Sequence, residues 1–467
     1  MENPAPSDNS ESISSPKFGG VEMVNWVGDI SWRAAAVVKV RSVADIVEVL
    51  QDPERYPAPL RAVGSNHSTT QCAVARNGTV LEMKGMSRIL EIGNGTVAVE
   101  AGALYIEVAR ELRKHNLQFY VNLELGNLTM GSAACCGTKD ASMPGELGQA
   151  SSYCTALKMV SPGGELIEFN ESDTELLQAA RSSYGLFGIV YEVTFRVRPL
   201  TPLRVYHESF TLGEFERRLP ELVARDESMM FYQFPFQDRI LVEFRNYAIG
   251  GPPVDHRLVW WVRNFFWANF IPGLSYLLTR FIPWPQIRYG LIDLFNSFLR
   301  FVMVAFLKAD DTSPPDQIIR YPDHGGFTRY TFTLWAFPES NYTVVLRDYC
   351  SFCRTYYRDR HYRCNMLSVG YRIAQDQSSL FSYSYDGPVM TVDPVTTPEA
   401  GWDDFLRAFN QFCSERGGVP LFNQTKWITA EQVRKAFGQR LSKFNTYRCR
   451  YDPANRLLND YFRELLA

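Results

Sequence analysis

The sequence predicts an α+β chain of two lobes, the second built around an antiparallel sheet. Three observations carry this. At 467 residues the chain exceeds the usual single-domain size. Strand and helix patterns alternate from residue 37 to about residue 200 and return after residue 325. Between them lies a stretch far denser in aromatic and aliphatic residues, and no internal repeat is visible.

Residues 1–20 (MENPAPSDNSESISSPKFGG) are rich in Ser, Pro, Asn and Gly and lack an apolar run, so a disordered lead is expected there, not a signal peptide. The first lobe is assigned to 21–200. AAVVKV reads as a strand, and SVADIVEVLQ as a helix opened by Ser42 with Asp45 three residues on. Strands at GTVLEM and GTVAVEAG lead to the helix LYIEVARELRKHNL. A glycine-rich passage follows (ELGNLTMGSAACCGTKD), then strands YCTALKMVS and GELIEF around the turn Pro162-Gly163-Gly164. The helix DTELLQAARSSYG and the long strand GIVYEVTFRV close the lobe.

The second lobe is assigned to 201–467 and contains an apolar helical segment at 256–307. Its longest uncharged run, Asn264 to Thr279, is short for a bilayer span and contains Pro272, so helices packed within the lobe are expected. A tunnel lining for an apolar substrate and a peripheral membrane contact remain open alternatives. Beyond it, TRYTFTLWAFP, NMLSVGYRI and LFSYSYDG read as strands, and SNYTVVLRDYCSFCRTYY as a helix. WDDFLRAFNQFCSERGG reads as a helix stopped by Gly417-Gly418.

A formal charge of −3 gives no basic footprint for nucleic acid, so no nucleic-acid partner is expected. The nine cysteines lack zinc-site spacing, and no metal is expected. With no export signal, reduced thiols and a cytoplasmic location follow, and Cys135-Cys136 reads as packing beside a glycine turn.

Two loops have the character of a phosphate cradle. Gly64, Ser65 and Asn66 leave backbone N–H groups uncovered beside the hydroxyls of Ser68, Thr69 and Thr70, and Thr129, Gly131, Ser132, Gly137 and Thr138 repeat the pattern. Neither loop is a Walker A motif or a strand–GxGxxG–helix unit, which disfavours ATP and nicotinamide dinucleotides.

Four stretches in the first lobe, RAVGSNHSTT, TVAVEAGALYIEVARELRKHNLQFYVNL, LTMGSAACCGT and LLQAARSSYGLFGIVYEVTF, together resemble the PCMH-type FAD-binding lobe of the vanillyl-alcohol oxidase superfamily, with the aldonolactone oxidases nearest in pattern. The resemblance implies FAD held by Arg61, Ala62, Val63, Gly64, Ser65, Asn66, His67 and Ser68 in the first loop. It adds Thr129, Gly131, Ser132, Cys136, Gly137, Thr138 and Lys139 in the second, and Gly188 and Ile189 before the last strand. In that family the loop histidine, here His67, can bond covalently to the flavin 8α-methyl.

In the second lobe, Trp335-Ala336-Phe337-Pro338 resembles the family's Trp-Ala-Ile-Pro, and Asn423 and Lys426 fall in the segment that carries the family's lysine. Lys426 is thereby implied as a polar group beside the substrate hydroxyl, and Arg329 stands with Tyr330, Thr331 and Thr333 where many members place a glutamate. Lys139 replaces a histidine, and its charge is expected near the flavin pyrimidine. The implied activity is oxidation of an alcohol carbon, with oxygen or another molecule as electron acceptor. The apolar segment favours a hydrophobic or lipid-linked alcohol over a free aldonolactone or alditol, and a non-catalytic flavin scaffold is the further alternative.

Overall fold

Strand pairing begins inside the expected disordered lead. The computed structural model describes residues 16–248, 254, 256–312 and 326–467, so residues 1–15 lie outside it. Residues 17–20, however, open strand β1 (Lys17–Val24), because Lys17 and Phe18 find backbone partners at Val37 and Ala36 of β2 (Ser31–Lys39). Helix α1 (Val43–Gln51) starts as its sequence dictates. Ser42 accepts a hydrogen bond from the Asp45 N–H, and Asp45 accepts one in return from Ser42, satisfying donors that a helix start leaves open. β3 (Leu60–Val63) and β4 (Thr79–Glu82) complete a four-stranded sheet in the order β1-β2-β4-β3, parallel beyond the first pair.

The second sheet joins β5 (Ile89–Gly93), β6 (Thr96–Glu100), β7 (Leu117–Phe119), β8 (Cys154–Val160), β9 (Leu166–Asn170) and β10 (Ile189–Pro199). Its order is β5-β6-β10-β8-β9, antiparallel throughout, with β7 on the far end of β10. Helices α2 (Tyr105–Lys114), α3 (Met130–Cys135) and α4 (Thr174–Ala180) accompany it.

The third sheet is the antiparallel one expected of the second lobe. It uses β11 (Leu203–Thr211), β12 (Ser228–Phe234), β13 (Arg239–Tyr247), β14 (Ala309–Thr312), β16 (Trp335–Pro338), β17 (Ser368–Ile373), β18 (Val389–Val392) and β20 (Val419–Pro420), in the order β14-β11-β13-β12-β17-β18-β16-β20. A small pair, β15 (Thr331–Phe332) with β19 (Val395–Thr396), stands beside it.

Side chains alternate across a strand, and β12 shows what each face of this sheet meets. Phe231 lies against Phe215 of α5 (Leu212–Ala224) and Tyr342 of α9 (Tyr342–Arg360). Its neighbours Met230, Tyr232 and Phe234 face the apolar segment, which forms α6 (Arg257–Phe265), a π-helical turn at Phe266–Phe270, α7 (Ile271–Phe281) and α8 (Pro285–Phe306). Trp267 of that turn stacks on Tyr232 at 4.9 Å between ring centroids. With both faces covered, every residue of β12 is buried.

LFSYSYDG is not a strand. Leu380, Phe381 and Tyr383 turn into the core, and the chain is tied down by side chains, with Gln149 donating to Ser382 at 2.7 Å. The ladder there is made by Val389–Val392 instead. The chain closes with α10 (Trp402–Glu415), α11 (Ala430–Phe437), α12 (Gln439–Tyr451) and α13 (Asp460–Leu465).

Candidate active site

The two cradle loops meet. Gly64 follows β3, Thr129 precedes α3, and a Cβ added at Gly64 would lie 2.2 Å from the Thr129 Oγ1, so only glycine permits the approach. Ser65 Oγ donates to the Asn127 carbonyl at 2.5 Å, which ties the loops further. Asn66 takes φ +56°, and its amide donates to the Val24 carbonyl at 2.7 Å. Among the described residues, the N–H groups of Gly64, Ser65 and Ser68 have no acceptor within the chain. They edge a cleft of about 1230 Å³, part of it open to solvent. A string of uncommitted donors beside small side chains suits an anionic, elongated ligand.

Of the expected flavin contacts, Arg61 through Ser68, Thr129, Gly131, Ser132, Cys136, Gly137, Thr138, Gly188 and Asn423 all line this cleft. Two do not. Ile189 is buried in the ladder against Val160, and Lys139 lies in a neighbouring cavity. Arg61 lines the cleft, but its guanidinium donates to the carbonyls of Tyr184 and Leu457, so its charge serves the fold. Tyr184, at φ +50°, had no signal in the sequence. Its hydroxyl accepts from the Gly137 N–H at 3.1 Å and lies 3.4 Å from the Asn423 Oδ1. Burial pushes the Cys135 thiol up to about 12, in keeping with packing.

His67 lines the same cleft, edge-on to Trp26 at 6.1 Å. Burial, assisted by the charge of Lys84, pushes its pKa down to about 3, which keeps the imidazole neutral and nucleophilic at physiological pH. Trp26 in turn meets Tyr330 at 5.9 Å, an aromatic bridge to the second cavity.

That cavity, about 960 Å³ and also partly open, shares Leu125, Leu128, Thr138, Phe332 and Gln424 with the first. Apolar side chains dominate its wall, among them Met230, Trp267, Met366, Leu367 and Val395. Set into this wall are two ion pairs, Arg263 with Glu124 and Lys139 with Asp393, the latter two side chains 9 and 3% exposed. The Lys139 ammonium lies 5.2 and 5.6 Å from the ring centroids of Tyr371 and Phe332. Burial lowers the Lys139 pKa against the pull of Asp393, and raises that of Asp393 to about 6 against the pull of Lys139. Asp393 is a lone acid closing the apolar strand VMTV, the one trace of it in the sequence.

A second charged cluster runs from Glu124 and Arg263 on this wall into the core. Arg245 meets Glu124, Asp140 and Glu243 at 2.8, 2.9 and 2.7 Å, while Arg263 of α6 reaches Glu124 and Glu243 at 3.2 and 3.4 Å. His207 adds a 3.0 Å contact to Glu243. The two guanidiniums hold Glu243 well below the usual carboxylate range despite its burial, whereas burial raises Asp140 to about 7.

Neither residue expected to work on the substrate lines either of these two cavities. The Lys426 ammonium is held between Asp29 and Asp403, at 2.9 Å from each. Arg329 lies against Gly28, where an added Cβ would come within 2.8 Å of its Nη1. Both are drawn to the turn that follows β1.

Comparison with known proteins decides the family. A family model described as FAD binding domain matches residues 34–170, and one described as D-arabinono-1,4-lactone oxidase matches residues 193–465. The chain belongs to the D-arabinono-1,4-lactone oxidase family. It is an FAD-linked oxidoreductase acting on CH–OH groups. Relatives within reach of its full length include L-gulono-1,4-lactone dehydrogenase of Mycobacterium tuberculosis, 24% identical over 448 residues (95% of this chain, 98% of that protein). L-gulonolactone oxidase of Bos taurus is 26% identical over 457 residues, covering 96% and 99%. Cholesterol oxidase of Brevibacterium sterolicum shares the fold, with a TM-score of 0.72 at 16% identity over 100% of both chains. The FAD of this family fits the first cleft: its donors suit a diphosphate, and the neutral His67 suits attachment to a flavin ring.

Proposed function

We propose that this oxidase dehydrogenates the carbinol carbon of a bulky, largely apolar alcohol bound in the second cavity, with Asp393 and Lys139 handling the hydroxyl proton. The observation that carries this is a lysine–aspartate pair with little solvent exposure in a mostly apolar wall, where the two cavities share residues. FAD, when bound, supplies the acceptor for the hydride. The Asp393 carboxylate takes the hydroxyl proton, and the Lys139 ammonium donates to the same oxygen and steadies the negative charge that develops on it. The apolar wall excludes water and strengthens both interactions. His67 is the residue proposed to anchor the flavin covalently.

A free aldonolactone is the second reading, favoured by relatives named for that chemistry over nearly the whole chain. Anaerobic mixing of the oxidised holoenzyme with aldonolactones, alditols, sterols and lipid-linked sugars tests both readings. Bleaching of the flavin by apolar alcohols is expected. Bleaching by lactones alone selects the second reading, and bleaching by none leaves a flavin scaffold.

A further inference from the structure

The inner faces of α6, α7 and α8 are built into the protein, and their outer faces are not. On α8, Tyr289, Ile292, Asn296, Leu299 and Met303 recur every three or four residues and are buried, while Ile287, Leu291, Leu294, Phe298 and Phe301 are exposed. On α6, Trp260 and Arg263 point inward, and Trp261 and Phe265 outward. Trp261, Phe281 of α7 and Trp284, which precedes α8, are 63, 72 and 63% exposed. Monomeric surfaces rarely leave so many large apolar side chains together.

By length and composition α8 is long and apolar enough to cross a bilayer. Its buried stripe, and the Asp293 carboxylate paired with Arg363 at 2.7 Å, hold it along the protein surface instead. Asp293 is the one acid between residues 257 and 308, while Arg280 and Lys308 are exposed. A second copy seated on this face would set like charges opposite one another. A bilayer surface with anionic headgroups accepts both the aromatic side chains and the cations.

We infer that the outer face of α6–α8 docks on the surface of an anionic bilayer. The same helices bear Arg263 and adjoin Trp267 on the wall of the second cavity, so docking sets the lipid layer one helix thickness from the substrate space. This deepens the reading of an apolar alcohol by naming where it is drawn from, but docking itself needs no turnover.

Flotation of the holoenzyme with phosphatidylcholine vesicles, with and without phosphatidylglycerol, tests it, the protein being read on a gel. Flotation with the anionic vesicles is expected, and it falls about tenfold or more in Trp261→Ser/Phe281→Ser/Trp284→Ser and in Leu294→Glu/Phe298→Glu, both retaining the flavin spectrum. Leu166→Ser, exposed on β9, floats like the parent. No flotation, equal flotation on neutral vesicles, undiminished flotation of both variants, or a dimer that these variants dissolve would each overturn the inference. None of these outcomes reads flavin reduction, so the oxidation chemistry stands or falls separately.

Discussion

The Lys139 ammonium and the Asp393 carboxylate, 254 residues apart in the chain, form an ion pair inside an apolar cavity. Burial costs both charges their hydration, so each is held charged chiefly by the other. Lys139→Met and Asp393→Asn are each expected to slow flavin reduction roughly a hundredfold to ten-thousandfold while leaving the flavin bound. The double variant should lose little more than either single one, because the two act as a unit. Stopped-flow absorbance under anaerobic conditions reads all three, and additive losses would separate their roles.

Flavin reduction should rise with pH along a limb centred near 6, where Asp393 gives up its proton. The stability sign is opposite. A carboxyl whose folded pKa lies above its ordinary value favours the folded state when protonated. Its contribution is therefore present at low pH and lost as pH climbs from about 4 through about 6. Asp393→Asn should flatten both dependences, measured by rate profiles and by denaturant titration across that window.

Arg263 ties α6 to Glu124 and Glu243 beneath the apolar helices. Arg263→Met leaves the buried Glu243 and the half-buried Glu124 with less compensation, and a loss of roughly 3–5 kcal/mol is expected from chemical denaturation. Arg358, exposed and paired with its neighbour Asp359, is the control, and Arg358→Met should leave the denaturation midpoint where it is on the same assay.

Gly64→Ala should drive the two cradle loops apart, since its Cβ would overlap Thr129. A stability loss of about 1–3 kcal/mol is expected, together with weaker flavin retention on gel filtration. Thr129→Gly in the same chain should restore part of both.

Acid-precipitated protein should stay yellow, and His67→Ala should precipitate colourless while still binding added FAD. A colourless precipitate from the parent protein would show that the flavin is held without the bond.

Local rules made much of this legible in the sequence. The Ser42–Asp45 cap, the Gly64–Ser68 loop and the turn at Pro162-Gly163-Gly164 depend on neighbours a few residues apart, and each stands where the sequence puts it. What was not legible depends on distant pairing. Lys139 finds its partner across most of the chain, and Lys426 is captured by Asp29 and Asp403, which no spacing announces. LFSYSYDG has the alternation of a strand, yet side-chain bonds hold it as a loop. Composition marked residues 17–20 as loose, and a ladder partner in β2 outweighed it.

The His67 loop is fastened by the opposite end of the polypeptide. Ser68 Oγ donates to the Asn423 carbonyl at 2.9 Å, Thr69 Oγ1 to that of Gln424 at 2.9 Å, and Thr70 Oγ1 to that of Phe422 at 2.6 Å. During synthesis the nucleotide pocket thus stays unfinished until residues 422–424 have left the ribosome. Cofactor loading is therefore expected late in the life of the molecule, and a chain cut short before that point would carry a first lobe without these three ties.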